Sequence, residues 1–398
     1  MKTTLKTSAR VADPATKVGK AQDFSNHDLY VGIDVHKKRW QVAVLCSGVC
    51  LSNSSIEADS DDLIRHLRGR YGAARFSCVY EAGPFGFALC RSLWAAGMEC
   101  LVVNPADIPG TDAERRGKTD AVDARRLANH LAAGLLRGIH VPTERLQKHR
   151  SLIRFRKKLW GDLTRAKNRL KSELKFQAIS IPPKFDNPHW SHNFLNWIEE
   201  TAKGDEDLQD TLELMLEEVR HLRLLLLKTE KKLRALMRTE SYIKQEGLLR
   251  SVPGIGPITA QLFTLEVGDV ARFKNFDALN RFVGLCPDEH SSGERQQHTG
   301  ITQRRHNQLR SHLVEAAWQL IRRDPAMLDA YKKLCGRMKS EHALIRIARR
   351  LLRRMRAVLL SGRMYVKGVE AGSSEAIGAP LPPEPKKKGR QPKQATMK

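Results

Sequence analysis

From residue 28 onward the chain alternates short apolar runs with polar breaks. Leu29-Tyr30-Val31-Gly32-Ile33-Asp34-Val35 reads as a strand, His36-Lys37-Lys38-Arg39 as a break and Trp40 to Leu45 as a second strand, which predicts a tight hairpin. A third strand is expected between Val49 and Ile56, followed by an amphipathic helix from Asp61 to Tyr71. Phe76 to Tyr80 is a further strand that ends at Glu81, and Gly83-Pro84 turns the chain into a helix from Phe85 to Ala96. Cys100 to Val103 is the next strand. A helix then starts at Asp120, where Thr119 or Asp120 can cap it and Ala121, Ala124, Leu127 and Ala128 carry it on. An antiparallel start that passes into alternating strands and helices predicts a mixed sheet flanked by helices.

The pattern changes near residue 143 to long, charged, helix-favouring sequence. Arg154, Arg156, Lys157, Lys158, Arg165, Lys167, Arg169, Lys171 and Lys175 make its first part strongly basic, and Pro182, Pro183 and Pro188 interrupt it. Beyond the break Leu212, Met215, Val219, Leu222, Leu226, Thr229, Leu233 and Leu236 follow alternating steps of three and four. That is a heptad seam, which predicts a coiled coil or a long antiparallel helical pair; an ordinary core-facing helix is the alternative. Ser251 to Ala260 then carries the turn Gly254-Ile255-Gly256 between helical arms. Such a turn resembles a helix-hairpin-helix segment, in which backbone N–H groups meet phosphate, or a structural copy of one. A polar loop from Asp288 to Arg295 and basic helices to about Arg363 complete the ordered sequence. Five segments follow: a flexible arm at 1–27, an α/β domain at 28–142, a helical, coiled-coil middle at 143–245, a mainly α domain at 246–365 and a disordered basic tail at 366–398.

Composition narrows the partners. Lys plus Arg total 69 against 44 Asp plus Glu, and this formal charge of +25 draws a protein to polyanions. Nucleic acid precedes a membrane surface, because no long apolar run is present. The seven cysteines form no Cys-x-x-Cys pair, so a reducing cytoplasm fits and a cysteine zinc site does not.

The acids carry the candidate chemistry. Asp120 and Asp123 are nearly one helical turn apart and share a face. Alone they make a capped helix start, with Lys118, Arg125 and Arg126 able to neutralise them. Asp34 and Glu81, however, fall at strand ends, where ligands gather in sheets of this kind. Four carboxylates placed in this way suggest phosphoryl transfer assisted by two Mg²⁺ ions, with Mn²⁺ as a substitute. Lys118, Arg125, Gly254, Gly256 and Arg295 are candidate contacts to nucleic acid.

Three runs then converge on one family. Tyr30 to Lys37, Tyr80 to Pro84 and Lys118 to Ala124 resemble the amino-terminal DEDD domain of the IS-one-ten (IS110) family of insertion-sequence transposases. Val283 to Pro287, His290 to Arg295, Gly300 to Thr302 and Leu313 to Trp318 resemble the second domain of the same family. The resemblance implies a ribonuclease H-like fold related to Holliday-junction resolvases, with metal held by Asp34, Glu81, Asp120 and Asp123. It also implies a nucleophilic serine at Ser292, with Ser291 as the alternative, and a bridge RNA that pairs with donor and target DNA. The helical middle is implied to join subunits of a homodimer or homotetramer, so that the acids of one subunit meet the serine of another. Gln303-Arg304-Arg305-His306-Asn307 departs from the family's Gly-Asn pair after the Ile-Thr. Two other readings remain: a resolvase-type nuclease in which the acids activate water, and a basic scaffold with inert acids.

Overall fold

The computed structural model describes residues 24–25, 27–109, 119–187, 189–204, 206–292, 295–302 and 305–366, with the side chains of 287–301 outside the description. The arm and the tail expected at the two ends lie almost wholly outside these residues. The chain divides into two units at Val141 and Pro142, and each is described by itself.

The first unit is a mixed sheet between helices. Its strands are β1 (Asp28–Val35), β2 (Arg39–Cys46), β3 (Val49–Glu57), β4 (Arg75–Glu81) and β5 (Glu99–Val103), in the order β3-β2-β1-β4-β5. β1 runs antiparallel to β2, and β2 to β3, whereas β4 lies parallel to β1 and β5 parallel to β4. Helices α1 (Ser60–Tyr71) and α2 (Ala88–Ala95) cover one face, and α3 (Asp120–Ala132) covers the other.

Period-two alternation assigns the side chains to those faces. Leu29, Val31 and Ile33 of β1 join Val42, Val44, Cys78 and Tyr80 in a core closed by Leu63, Leu67, Leu89 and Leu93 from α1 and α2. The other face is built differently. Gly32 pairs with Ala43 on one side and Val79 on the other, and this row of mostly small residues meets Ala124, Leu127 and Ala128 of α3. A Cβ on Gly32 would stand 2.0 Å from the Ala124 carbonyl oxygen and 2.6 Å from the Ala128 nitrogen. The helix therefore rests directly on the strand backbone.

The second unit is mostly helical. Its long elements are α4 (Glu144–Phe176) and α6 (Glu206–Met237), with α5 (His192–Lys203) against α6. Leu212, Val219, Leu226 and Leu233, seven residues apart, are buried along α6, and all but Leu233 join Leu159, Leu163, Leu170 and Leu174 of α4 in one core. A second core gathers Leu233 and Met237 with α7 (Glu240–Ser251), α8 (Pro257–Val267), α9 (Phe276–Val283), α10 (Asn307–Arg323) and α12 (Ser340–Ser361). Helix α11 (Pro325–Cys335) packs on α10 and α12. The segment read as a polar loop between residues 288 and 295 is instead part of an antiparallel hairpin of β6 (Pro287–Ser292) and β7 (Arg295–Ile301).

Gly32→Ala should destabilise the protein by roughly 2–3 kcal/mol, because the added methyl meets backbone that cannot rotate away. Gly69→Ala, on the open face of α1 with nothing within 4 Å of the new methyl, should be neutral or stabilising by up to about 1 kcal/mol. Urea denaturation of the two variants measures the contrast; equal midpoints would refute the close-contact argument.

Candidate active site

Strand order places the first two carboxylates. Ile33 and Tyr80 are register partners on adjacent parallel strands, so Asp34 and Glu81 follow side by side at the ends of β1 and β4. The contact at Gly32 then fixes where α3 begins. Thr119 caps it, its Oγ1 accepting from the Val122 N–H at 3.4 Å, and Asp120 and Asp123 occupy the first turn.

The acids come together in two pairs, each around a basic side chain. His36 Nε2 lies 3.0 Å from Asp34 Oδ2 and 3.5 Å from Asp120 Oδ1. A hydrogen bond and charge from Asp34, and the charge of Asp120, raise the His36 pKa above its ordinary value against a small opposing effect of burial. One ligand atom from each of Asp34, His36 and Asp120 lies within 4.8 Å of the others. In the second pair an Arg126 guanidinium nitrogen is 3.3 Å from Asp123 Oδ1 and 3.8 Å from Glu81 Oε1. Both are long ion pairs, and among the described residues the buried Nε of Arg126 has no hydrogen-bond partner. Asp123 is nearly buried whereas Asp120 is two-thirds exposed, so the cluster opens toward solvent on the Asp120 side.

Two contributors were not singled out from the sequence. His36 stood in the polar break, yet it follows Asp34 by two residues, the spacing that returns a strand to the same face. Asn53 of β3 accepts from Gln41 Nε2 at 2.7 Å and donates to the Ala121 carbonyl at 2.8 Å. It ties the first turn of α3 to the antiparallel side of the sheet. Arg126, expected as one of three neutralising neighbours, takes that role; Arg125 is exposed on α3, and Lys118 lies outside the described residues.

The chemistry such a cluster supports is that of a divalent cation. A half-buried carboxylate at the end of β1, an exposed one at the start of α3 and an imidazole offer three donor atoms within reach of one such ion.

The remaining candidates belong to the second unit. Ser292 is the last residue of β6 and pairs with Arg295 on β7, and Ser291 pairs with Gln296, so both serines stand at the hairpin's distal end. The hairpin's base is anchored: Thr302 N–H donates to the Cys286 carbonyl at 3.2 Å, and Arg310 donates to the Gly284 and Thr302 carbonyls at 3.2 and 3.0 Å. His306 caps α10, with Nδ1 accepting from Leu309 N–H at 3.2 Å, which leaves Nε2 to face Glu266 at 3.3 Å. Burial would push the Glu266 carboxyl up, but hydrogen bonds and charge from Arg154 and His306 outweigh it and hold the pKa at about 2. Gly254 has φ 91°, and a Cβ there would stand 2.5 Å from the Ala316 carbonyl of α10. Gly256 precedes α8 with nothing within 4 Å of an added Cβ.

Comparison with known proteins gives the class. Residues 31–178 match a DEDD family model described as a transposase, and residues 246–332 match the model described as "Transposase IS116/IS110/IS902 family". "Putative transposase y4qE" of Sinorhizobium fredii is 31% identical over 314 residues, covering 77% of this chain and 75% of that protein. The transposase for insertion sequence element IS1533 of Leptospira borgpetersenii is 28% identical over 73% of this chain and 85% of its own length. A 44.8 kDa protein of insertion element IS116 from Streptomyces clavuligerus is 25% identical over 86% of this chain and 97% of its own length. The chain belongs to the IS110 family of insertion-sequence transposases. Such a family acts on DNA, and among the described residues no helix is long and apolar enough to cross a membrane.

Asn53→Ala should cost about 1 kcal/mol, the net worth of its hydrogen bonds. Hydrogen exchange should quicken at residues 120–124 while the β1–β4 ladder keeps its protection. Uniform quickening across the sheet would mean that Asn53 supports the fold at large and not this turn.

Proposed function

We propose that this transposase cuts and rejoins DNA with Mg²⁺, or Mn²⁺ in its place, and a serine nucleophile. The observation that carries the reading is the pairing of Asp34 with Asp120 and of Glu81 with Asp123 at the ends of two adjacent parallel strands. The strand order β3-β2-β1-β4-β5 supports a ribonuclease H-like fold for residues 28–142. Asp34, Glu81, Asp120 and Asp123 hold the metal, which would polarise the scissile phosphate and stabilise the charge that develops on it. His36 and Arg126 neutralise the same carboxylates in its absence.

Ser292, with Ser291 as its alternative, supplies the attacking oxygen. Its Oγ bonds to phosphorus as the phosphorus–sugar-oxygen bond breaks; the serine proton passes to a base or water, and the departing sugar oxygen takes up a proton. The resulting phosphoserine diester keeps the energy of the linkage, so a second sugar hydroxyl can displace serine without an external high-energy cofactor. The heptad seam of α6 is taken up within the chain against α4, and other surfaces of the helical, coiled-coil middle at 143–245 join subunits, with acids and serine contributed by different copies of a dimer or tetramer. Gly256, open before α8, together with Lys118, Arg125 and Arg295, contacts nucleic acid, and the charge of +25 suits a bridge RNA as well as donor and target DNA.

The test is a covalent trap. The protein, element-end DNA, the RNA transcribed beside the coding region and Mg²⁺ are incubated and then denatured. A protein–DNA adduct should form with the wild type and disappear with Ser292→Ala, with Asp34→Ala and on chelation of the metal. Cleavage that persists in Ser292→Ala but not in Asp34→Ala would replace the serine with water and make the chain a resolvase-type nuclease. Gel shifts without any cleavage would leave a scaffold.

Binding should also respond to salt. A protein contacting six to ten phosphates should lose about 10³-fold or more in affinity between roughly 50 and 200 mM salt. A flat response would show that the positive charge serves another purpose.

A further inference from the structure

We infer that the second unit carries a track for single-stranded DNA across α4, with Trp160 as the platform on which an unpaired base stacks. This rests on the reading of the hairpin serine as the nucleophile, and it adds where the strand lies.

Three depressions join along α4. The first is bordered by Lys157, Lys158 and Arg165 of α4 and by Arg305 just before α10. The second shares Lys157, Asn307 and Gln308 with the first and reaches Trp160 and His312. The third shares Trp160 with the second and continues to Lys167, Trp190 and Arg223. The depressions adjoin one another at Lys157, Asn307, Gln308 and Trp160.

Its charge is positive after every acid has been counted. Glu266 is held by Arg154 and His306, Asp162 by Arg165, and Glu230 by Arg156. Among the described residues, Lys157, Lys158 and Arg305 have no carboxylate at ion-pair distance, and all three are exposed. Exposed cations left without a carboxylate partner along a groove, Arg305 holding only the Asn307 side-chain oxygen at 3.3 Å, suit the spaced charges of a phosphodiester backbone.

The aromatic component selects the form of the nucleic acid. Trp160 is 57% exposed, although burying a ring of that size is ordinarily favourable. It lies where the second and third depressions meet, with the Arg156 guanidinium 5.7 Å from its ring centroid. Farther along, Lys167 Nζ lies 5.4 Å from the Trp190 centroid. Alternating cations and aromatic rings bind bases through their faces, and only an unpaired strand offers those faces.

Position selects DNA. Arg305, His306 and Asn307 border the groove and follow closely on β7, and the His306 N–H donates to the Phe282 carbonyl at 3.2 Å, at the base of the β6–β7 hairpin. A strand in the groove passes the neck of the hairpin whose distal end bears Ser292, so it can continue along the hairpin to the serine.

Fluorescence anisotropy of the full chain in buffer free of divalent ions tests this with labelled single-stranded DNA, the matching duplex and RNA of the same sequence. Trp160→Ala should weaken single-stranded DNA about 10-fold and leave the duplex unchanged, whereas Trp160→Phe keeps most of the affinity. Lys157→Glu with Lys158→Glu should weaken the same complex and flatten its salt dependence, and Lys232→Glu, outside the groove, should not. The inference is overturned if Trp160→Ala leaves single-stranded DNA binding intact, weakens the duplex by the same factor, or affects RNA alone. It is equally overturned if sedimentation shows that Trp160→Ala dissociates the chain's oligomer, because the ring would then face a second copy. No cleavage enters the measurement, so a failure here leaves the serine adduct to be judged by its own trap.

Discussion

The arrangement of the first unit depends on one absent side chain. With no Cβ at residue 32, α3 lies against the backbone of β1, and Ala43, Ala124 and Ala128 keep the surrounding contact equally thin. A helix packed on larger side chains would stand farther from the sheet, as ordinary face packing requires. Asp120 would then be lifted away from the end of β1. The spacing of the carboxylates is thus inherited from a contact between Gly32, two residues along β1 from Asp34, and Ala124, four residues along α3 from Asp120, neither of which takes part in the chemistry.

Bringing four acids to one place creates repulsion that the fold must offset. It does so twice with a basic side chain of its own: His36 between Asp34 and Asp120, and Arg126 between Glu81 and Asp123. The two solutions differ in strength. His36 is exposed and its charge depends on protonation, so it holds its pair weakly. Arg126 is shielded from solvent and always charged, but its separations of 3.3 and 3.8 Å fall short of the bidentate geometry that makes such pairs strong. Both arrangements leave carboxylate oxygens that a divalent ion, with its higher charge, can compete for.

Much of the first unit was legible because its strands are apolar and its breaks polar. Alternation in Leu29, Val31 and Ile33, and the turn at Gly83-Pro84, mark element ends, and the acids at those ends stand out by position alone. The β6–β7 hairpin was not legible. Pro287 to Ser292 and Arg295 to Ile301 are almost wholly polar, so no period-two pattern separates strand from loop. Cross-strand pairing, which sequence does not display, defines it. Gly254 was half legible: the Gly-x-Gly turn announces itself, but whether a glycine is needed for phosphate or for packing depends on its neighbour in space. Its closeness to the Ala316 carbonyl accounts for Gly254 by packing, while Gly256 stays open.

A polar hairpin has no core of its own and must be held where it leaves the fold. Arg310 takes the carbonyls of Gly284 and Thr302, one on each side of the hairpin, and so closes its neck with a single guanidinium. Behind it the buried Glu266 draws Arg154 of α4 and His306 of α10 onto α8, and Arg150 donates to the Leu265 and Glu266 carbonyls at 2.7 and 3.0 Å. A carboxylate in such a setting is tolerated because it is surrounded by donors, and removing one of them would leave a buried charge uncompensated. With a pKa of about 2 the carboxylate stays ionised across the neutral range. The segment bearing the serines is thus fixed at its neck by groups of the helical unit.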